Sequence, residues 1–190
     1  MKSSTRLFVE PLLSEVELLA LSSEEERCMA AGFGSERRRR ESLMWRHIVR
    51  RELGDDVRIG YNENGAPQLL NRNEYIGVSH SADFVAVIIS TERCAVDIER
   101  LGRNFERVSA RYIRPEEQAL SRDERLAAVL WSAKEALYKY SEESGLDFLR
   151  DVRVLEVDFE RAAILGQIKD NPPVRMQLKF HSDNVVVYIG

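Results

Sequence analysis

The stretch Phe84–Ser90 sets the first element of the fold, because it is an almost unbroken apolar run in this chain of 190 residues. A run of this length without polar interruption is typical of a β-strand that is covered on both faces. Thr91–Arg93 then supplies a turn, and Cys94–Glu99 returns as the next strand. The sequence therefore predicts two successive strands, of which the first is fully buried.

Other segments show helical or extended patterns. Ser23–Leu53 is predicted to be mostly helical, with an interruption at 32–34 and with Ser35 as the N-cap of the second part. Asn62–Gly65 has the composition of a tight turn. The remaining predicted elements are helices at 108–112 and 122–143 and strands at 76–79, 152–159, 164–168, 174–180 and 185–189. This mixture predicts an α+β fold.

Two segments of the chain resemble each other. His80–Ile89 and His181–Ile189 are both polar turns that lead into apolar strands, with one residue deleted in the second. This similarity predicts a pseudo-duplicated α+β architecture. We expect one domain, residues 1–190, built from approximate halves 1–100 and 101–190. A ligand is then expected in the cleft between the halves, where concave sites often form.

The composition predicts a soluble, cytoplasmic protein. The only cysteines, Cys28 and Cys94, lack the spacing of a zinc site and suit a reducing compartment. Residues 1–20 contain three glutamates, so they lack the apolar stretch of a signal peptide. No segment approaches the roughly 20 apolar residues that span a bilayer, so we expect no membrane partner. A duplicated chain supplies its own cleft, and we therefore expect a monomer.

A basic cluster lies within a chain whose formal charge is −4. Between residues 36 and 52, seven arginines stand against three glutamates, a local charge of +4 that leaves −8 elsewhere. Such a patch suits a small polyanionic ligand or an acidic partner better than a long nucleic acid. The alternative is a solvated helix face. The arginines are Arg37, Arg38, Arg39, Arg40, Arg46, Arg50 and Arg51.

Asp97 and Glu99 share one face of their predicted strand, because side chains alternate along a strand and Ile98 takes the other face. Two carboxylates this close repel each other unless a cation or a proton intervenes. Magnesium often joins one or two carboxylates to substrate phosphates, so the pair is a candidate metal site. The alternatives are exposure to water or pairing with Arg100 or Arg103.

Glu135 is predicted to follow Trp131 by one turn on the same helix face. A large aromatic side chain normally turns towards the core, which would bring Glu135 to a partly buried edge, where a carboxylate needs a partner. The alternative is a surface ion pair with Lys139 at i,i+4 spacing. The residues alone leave both interpretations open.

Two short motifs are candidates for ligand contact. Ser79-His80-Ser81 places small polar donors at the mouth of the buried strand, although a lone histidine is more often structural. Gly65-Ala66-Pro67 is a rigid turn at which the backbone could approach a flat ring or a phosphate, although most such turns have no ligand.

The order and spacing of these motifs resemble the phosphopantetheinyl transferases of the surfactin-synthetase-activating (Sfp) type. G-x-P at 65–67, S-H-S at 79–81 and D-I-E at 97–99 precede W-x-x-K-E-A-x-x-K at 131–139, and the last motif matches the W-x-x-K-E-A variant. The motifs cover residues 65–139, and the resemblance extends more loosely over the whole chain. It implies two similar α+β halves with the active site between them.

The resemblance also implies a metal site and a catalytic set. The implied ligands of magnesium, or alternatively manganese, are Asp97, Glu99 and Glu135. Glu135, directly or through a metal-bound water, is the implied base. His80 and Lys139 are the implied residues that neutralise the pyrophosphate of the substrate.

Coenzyme A is the implied co-substrate. Its G-x-P turn would line the adenine, and arginines of the 37–40 run or Arg46 would meet the 3′-phosphate. Ala66 stands where some relatives carry lysine. Lys134 would bind phosphate or pair with a neighbouring acid, and a further acidic family position falls on Glu117 or, in a competing alignment, on Glu116. The implied contacts of coenzyme A are Arg40, Arg46, Gly65, Ala66, Pro67, Ser79, His80, Lys134 and Lys139.

The implied reaction is attack of a carrier-protein serine on the β-phosphate of coenzyme A, with release of 3′,5′-ADP. The implied partner is a small, acidic acyl or peptidyl carrier protein of fatty acid, polyketide or peptide synthesis, and basic residues of the N-terminal helix are candidates to meet it. One alternative is a catalytically silent module that binds coenzyme A or a carrier protein. Another is nucleic-acid binding through residues 37–51, which the net charge of −4 disfavours.

Overall fold

The computed structural model describes residues 4–190, which contain ten β-strands and five α-helices. The helices are α1 (Glu15–Leu21), α2 (Glu24–Ala31), α3 (Glu36–Leu53), α4 (Pro115–Gln118) and α5 (Leu126–Ser141), with a 3-10 helix at Glu106–Arg111. The strands are β1 (Thr5–Pro11), β2 (Ile59–Tyr61), β3 (Pro67–Leu69), β4 (Tyr75–His80), β5 (Phe84–Ser90), β6 (Ala95–Arg100), β7 (Val152–Asp158), β8 (Ala163–Ile168), β9 (Val174–His181) and β10 (Asn184–Ile189). The predicted α+β class is confirmed. No helix within residues 4–190 is both long and apolar enough to cross a membrane.

Serine caps and a glycine set the helix boundaries in the first third of the chain. Ser14 and Ser23 begin α1 and α2 through capping boxes, each with the glutamate three residues later. Ser35 Oγ accepts a hydrogen bond from the Arg38 amide, so α3 begins where the sequence predicts. Gly54 ends α3 with φ of 100°, a conformation that favours glycine. Because α2 ends at Ala31 and α3 begins at Glu36, the predicted interruption at 32–34 is confirmed.

The first sheet has the strand order β1-β5-β4, and both pairings are antiparallel. In the central strand, Val85, Val87 and Ile89 face a core that includes residues of α3, whereas Ala86 and Ile88 face residues of β6 and β10. The strand is thus covered on both faces, as its apolar run predicts.

The second sheet has the order β6-β10-β9-β8-β7 and is antiparallel throughout. Apolar residues of α5 pack on one face of it. On the other face, Val96 and Ile98 of β6 and Val186 of β10 contact the first sheet. The helix begins at Leu126 rather than Arg122, because Asp123 accepts hydrogen bonds from the Arg125 backbone and side chain in a turn before it.

The two similar sequence segments form the same local structure. Each is the second half of an antiparallel hairpin, β4-β5 in the first sheet and β9-β10 in the second. Because β6 pairs with β10, it belongs to the second sheet. The chain therefore passes from the first sheet to the second between β5 and β6. The division at residue 100 stays a prediction.

Close approach of β4 to β6 joins the two sheets. At Gly77, a Cβ atom would lie 2.8 Å from Ile88 Cγ2 and 3.2 Å from Ala95 Cα, so a side chain cannot fit without a shift of its neighbours. Ser79, two residues later on β4, reaches β6 and accepts a hydrogen bond from the Ile98 amide at 3.3 Å. The absent side chain at residue 77 therefore lets one strand place its polar groups against the other.

Candidate functional site

Asp97 lies at the point where β4, β6 and α5 meet. It is only 4% exposed, and both of its carboxylate oxygens accept hydrogen bonds. Oδ1 accepts from Lys139 Nζ at 2.8 Å and from Ser79 Oγ at 3.1 Å, and Oδ2 accepts from Ser132 Oγ at 2.6 Å. Donors from a strand and a helix therefore fix the orientation of this buried carboxylate.

Glu99 lies two residues further on the same face of β6, as strand alternation predicts. Its Oε1 accepts from Arg103 at 2.7 Å and from the Trp131 indole at 2.9 Å. Burial and then the nearby Asp97 carboxylate raise the pKa of Glu99, against the opposing effect of Arg103. Glu99 therefore shares a strand face with Asp97, as predicted, and also forms the ion pair with Arg103 that was the alternative interpretation.

Glu135 lies half-buried on α5, at the partly buried edge that the sequence predicts. Burial, followed by the charge of Asp97, raises its pKa, and Glu99 adds to this effect. The alternative surface pair with Lys139 is not formed, because Lys139 Nζ contacts Asp97. Asp97 is therefore close enough to Glu99 and Glu135 to raise the cost of their negative charges.

A divalent cation fits the chemistry of this carboxylate set, which is our name for Asp97, Glu99 and Glu135. No group of three or more His, Cys, Asp or Glu side chains within residues 4–190 is arranged to hold a metal ion by itself. Magnesium does not need such a group, since it commonly takes one or two carboxylates and completes its shell with water and substrate phosphates. The oxygen donors, and the raised pKa values of Glu99 and Glu135 beside Asp97, fit that ion. The metal assignment stays a prediction.

His80 ends β4 beside the carboxylate set. Its Nδ1 lies 3.2 Å from Glu41 Oε1, and the same oxygen accepts from Arg37 Nε at 2.7 Å. The imidazole is half-exposed, and burial lowers its pKa although Glu41 acts in the opposite direction. The neighbouring Ser79 accepts from Lys139 Nζ at 3.0 Å, so the S-H-S motif and the α5 lysine meet.

A cavity of about 690 Å³ extends from Lys139 to the turn that carries Gly65, Ala66 and Pro67, all of which line it. The Asn62 side chain closes this turn by accepting from the Ala66 amide at 2.9 Å. Asn64 Nδ2 donates to the carbonyl of Glu142 at 2.6 Å, which ties the turn to the end of α5. The structure therefore brings the G-x-P turn and Lys139 to one concave surface of the size of a small-molecule site.

Arg40 and Arg46 lie apart from the carboxylate set. Arg40 donates to the carbonyls of Leu12 and Leu13. Arg46 is 2% exposed and lines a second cavity of about 610 Å³. Its guanidinium binds Ser42 and the hydroxyl of Tyr61, and within residues 4–190 it has no carboxylate within ion-pair distance. Tyr61 ends β2 directly before the Asn62–Pro67 turn, so Arg46 has an indirect link to the first cavity.

Lys134 lies outside both cavities, and the prediction that it contacts phosphate is wrong. Its Nζ is fully buried, pairs with Glu117 at 2.8 Å and donates to the carbonyls of Tyr112, Phe148 and Val152 at 2.6–2.9 Å. An ammonium group has three N–H donors, and four acceptors already surround them. Lys134 instead pairs with a neighbouring acid, Glu117, which was the other alternative.

The two competing acidic positions, Glu116 and Glu117, have different environments. Glu117 is 1% exposed and accepts from the amides of Arg114 and Val154 as well as from Lys134. Glu116 is exposed and lies 3.8 Å from Arg114. Glu117 therefore belongs to a buried network between α4, α5 and β7 rather than to the carboxylate set.

Sequence reasoning missed Ser132 and Glu41. Ser132 stands one turn before Glu135 and two turns before Lys139, a spacing that places all three on one helix face. That periodicity is a usable signal for its contact with Asp97. Glu41 has no comparable signal, because its i,i+4 spacing from Arg37 predicts only a surface pair, and its approach to His80 depends on tertiary packing.

Comparison with protein families identifies one match. The family model described as ACPS, 4′-phosphopantetheinyl transferase superfamily, matches residues 93–187, which is half of the chain. This region contains β6 and α5 and therefore the whole carboxylate set. No curated protein matches the chain.

Proposed function

This chain belongs to the 4′-phosphopantetheinyl transferase superfamily, and on that premise we propose that it transfers 4′-phosphopantetheine from coenzyme A to a serine of an apo acyl or peptidyl carrier protein. The observation that supports this most is the meeting of Asp97, Lys139 and Ser79 within hydrogen-bond distance, beside Glu99 and Glu135. The 690 Å³ cavity begins at the same lysine. Lys139, whose side chain is 33% exposed at that cavity, and an acidic set thus adjoin the cavity proposed for the nucleotide.

In the proposed reaction, the serine Oγ forms a bond to the β-phosphorus of coenzyme A. The bond between that phosphorus and the bridging oxygen breaks, so the oxygen leaves with 3′,5′-ADP. The serine proton passes to a base. Because such a transfer involves little covalent work by the protein, positioning and charge neutralisation are its main tasks.

Asp97, Glu99 and Glu135 are the residues proposed to hold magnesium. When bound, this ion would neutralise pyrophosphate oxygens and stabilise the leaving group. Glu135 is also the proposed base. Since burial and neighbouring acids raise its pKa, its carboxylate holds a proton more strongly than an exposed glutamate does.

Of the remaining contacts proposed for coenzyme A, Lys139 and the Gly65–Pro67 turn line the first cavity and Arg46 lines the second, whereas Ser79 and His80 line neither. Lys139 and His80, with Ser79, are proposed to bind the pyrophosphate, and the Gly65–Pro67 turn is proposed to line the adenine. Arg46 remains the better candidate for the 3′-phosphate, because it lines the second cavity and its guanidinium has no carboxylate partner within residues 4–190. Arg40 is the weaker candidate, since it lines neither cavity and donates to two carbonyl groups.

The finer classification is part of the same proposal. We assign the chain to the surfactin-synthetase-activating type and to its W-x-x-K-E-A variant on the motifs at 65–67, 79–81, 97–99 and 131–139. Two pseudo-equivalent halves within one domain, each contributing a hairpin, are consistent with this type. A chain that supplies both sides of its own site is proposed to act as a monomer in the cytoplasm.

A mass-shift assay tests the function. The chain, coenzyme A and Mg²⁺ are incubated with a panel of apo-carrier proteins, and mass spectrometry follows the gain of one phosphopantetheine group. We expect holo-carrier and 3′,5′-ADP in equal amounts, and no product when a chelator removes the metal. A silent binding module would bind coenzyme A in calorimetry without any mass gain. That result with every carrier of the panel would contradict the proposal.

His80→Ala is expected to weaken coenzyme A binding by about 1.5–3 kcal/mol, the usual size of one charge-assisted hydrogen bond. Calorimetric titration with coenzyme A measures the change. His181→Ala is the matched control, because His181 ends the corresponding strand β9 and its ring packs on Phe84. Equal affinities in the two variants would make His80 a structural residue held by Glu41.

A further inference from the structure

The wall of the first cavity includes the end of a very short hairpin. β2 and β3 have three residues each and, within residues 4–190, pair only with each other. We call residues 62–66, which join these strands and line the cavity, the hairpin tip. A hairpin of two strands is marginally stable by itself in water. The position of the tip therefore depends on contacts with the rest of the protein.

Hydrogen bonds inside the tip give it a fixed shape. Asn62 Oδ1 accepts from the amides of Asn64 at 3.0 Å and of Ala66 at 2.9 Å. The Asn62 carbonyl accepts from the Gly65 amide at 3.0 Å, and Gly65 has φ of 76°, a conformation that favours glycine. These bonds are all local, so they set the shape of the tip but not its place in the protein.

Both asparagine side chains of the tip donate to Glu142, the residue directly after α5. Asn64 Nδ2 donates to the Glu142 carbonyl at 2.6 Å, and Asn62 Nδ2 donates to Glu142 Oε1 at 3.4 Å. Within residues 4–190, no other hydrogen bond joins the tip to a part of the chain outside the hairpin. Glu142 is therefore the residue to which the tip is anchored.

The backbone conformation of Glu142 is unusual for its residue type. It ends α5 with φ of 55°, a left-handed conformation that glycine adopts more easily and commonly takes at helix ends. Its Oε2 lies 3.2 Å from Arg93 Nη2, and Arg93 also donates to the Tyr140 carbonyl at 3.3 Å. A side chain thus stands where glycine would be less strained, and its two oxygens contact Asn62 and Arg93.

The anchor lies at the end of the helix that carries part of the candidate site. Lys139, in the last turn of α5, is three residues before Glu142, contacts Asp97 and lines the same cavity. The lysine proposed for the pyrophosphate and the tip proposed for the adenine are therefore both held by one short segment of chain.

We infer that Asn64 and Glu142 are positioning residues, which hold the hairpin tip in place relative to Lys139 and so prepare the cavity wall for the nucleotide of coenzyme A. This inference rests on the proposed function. A wall that is ordered before binding has less freedom to lose when the ligand arrives, which favours affinity. Within residues 4–190, neither residue hydrogen-bonds to the carboxylate set, so we expect an effect on binding rather than on the chemical step.

The test variant is Asn64→Ala/Glu142→Ala, and its matched control is Asn73→Ala/Glu143→Ala. All four residues line the first cavity, and the Glu142 and Glu143 side chains are 43% and 41% exposed. Glu143 pairs with Lys169 at 2.6 Å instead of contacting the tip. The control therefore makes the same substitutions and the same loss of charge at the same cavity, while it leaves the anchor intact.

Hydrogen exchange of the free protein, followed by mass spectrometry, tests the anchor without any ligand. We expect the amides of residues 62–66 to exchange roughly threefold faster or more in Asn64→Ala/Glu142→Ala, because the tip separates from α5 more often. The control should exchange there as the wild-type protein does. Thermal unfolding checks that each variant is folded, and the single substitutions serve if the double variant is not. Equal exchange in the two double variants would overturn the anchor.

Calorimetric titration with coenzyme A, together with steady-state transfer, tests what the anchor does for the ligand. We expect Asn64→Ala/Glu142→Ala to raise the Kd of coenzyme A about fivefold or more, whereas kcat at saturating coenzyme A stays within about twofold of the wild-type value. The control is expected to change neither value by more than about twofold. An unchanged Kd despite faster exchange would overturn the role in binding. A wild-type protein that binds no coenzyme A would instead overturn the proposed function, while the exchange result would stand.

Discussion

Replacement of Glu117 with alanine is expected to lower the free energy of unfolding by about 3–5 kcal/mol, because it leaves the buried ammonium of Lys134 without its counter-charge. The same substitution removes the acceptor of two backbone amides, those of Arg114 and Val154. Urea denaturation followed by circular dichroism measures the change. The prediction depends on burial, since a pair of this length on the surface would contribute little.

Two further variants separate the ion pair from general effects of substitution. Glu116→Ala alters the adjacent, exposed glutamate and is expected to change the free energy of unfolding by less than about 0.5 kcal/mol. Glu117→Leu/Lys134→Met removes both charges and is expected to be more stable than either single variant. If Glu117→Ala unfolds at the same urea concentration as Glu116→Ala, Lys134 does not depend on this carboxylate.

Glu135→Gln is expected to reduce transfer of phosphopantetheine by about 100-fold or more, since the amide cannot take a proton from serine and is a poorer ligand for magnesium. The fold should persist. Burial and the neighbouring acids raise the pKa of Glu135, so removal of its charge is not expected to destabilise the folded protein. The initial rate of carrier mass gain at saturating coenzyme A measures the loss.

Binding of Mn²⁺, followed by electron paramagnetic resonance without carrier or coenzyme A, tests the metal role of Glu135 separately. Weaker binding by Glu135→Gln than by wild type supports metal ligation, whereas equal binding with lost transfer leaves only the role of base. Glu124→Gln is the control, because Glu124 is exposed and precedes α5. Near-normal transfer by Glu135→Gln would remove Glu135 from the catalytic set.

Periodicity and turn chemistry were sufficient to predict much of the fold. The unbroken apolar run of β5, the Ser35 cap and the alternation of Asp97 and Glu99 each have a local cause that a sequence displays. The strands β1 to β3 were not predicted. β1 mixes polar and apolar residues, and β2 and β3 are three-residue strands that owe their structure to pairing with each other.

The environment of charged side chains was harder to predict. Lys134 and Lys139 stand five residues apart in one motif, yet one enters the core and the other reaches Asp97. Helical spacing predicts the angle between the two side chains around the helix axis, but it does not predict which of them faces a cavity. Likewise, the arginines of α3 form a basic cluster in the sequence, and only the structure shows that four of the seven pair with glutamates, among them the distant Glu10 and Glu15.

The close approach of β4 and β6 at Gly77 means that the candidate site is built from both sheets. Ser79 belongs to the first sheet and Asp97 to the second, and they meet because Gly77, which has no side chain, lets β4 approach β6. Neither sheet alone supplies all the side chains that contact Asp97. A local fluctuation that separates β4 from β6 at this contact would therefore break the hydrogen bond of Ser79 with Asp97 while each sheet kept its own hydrogen bonds.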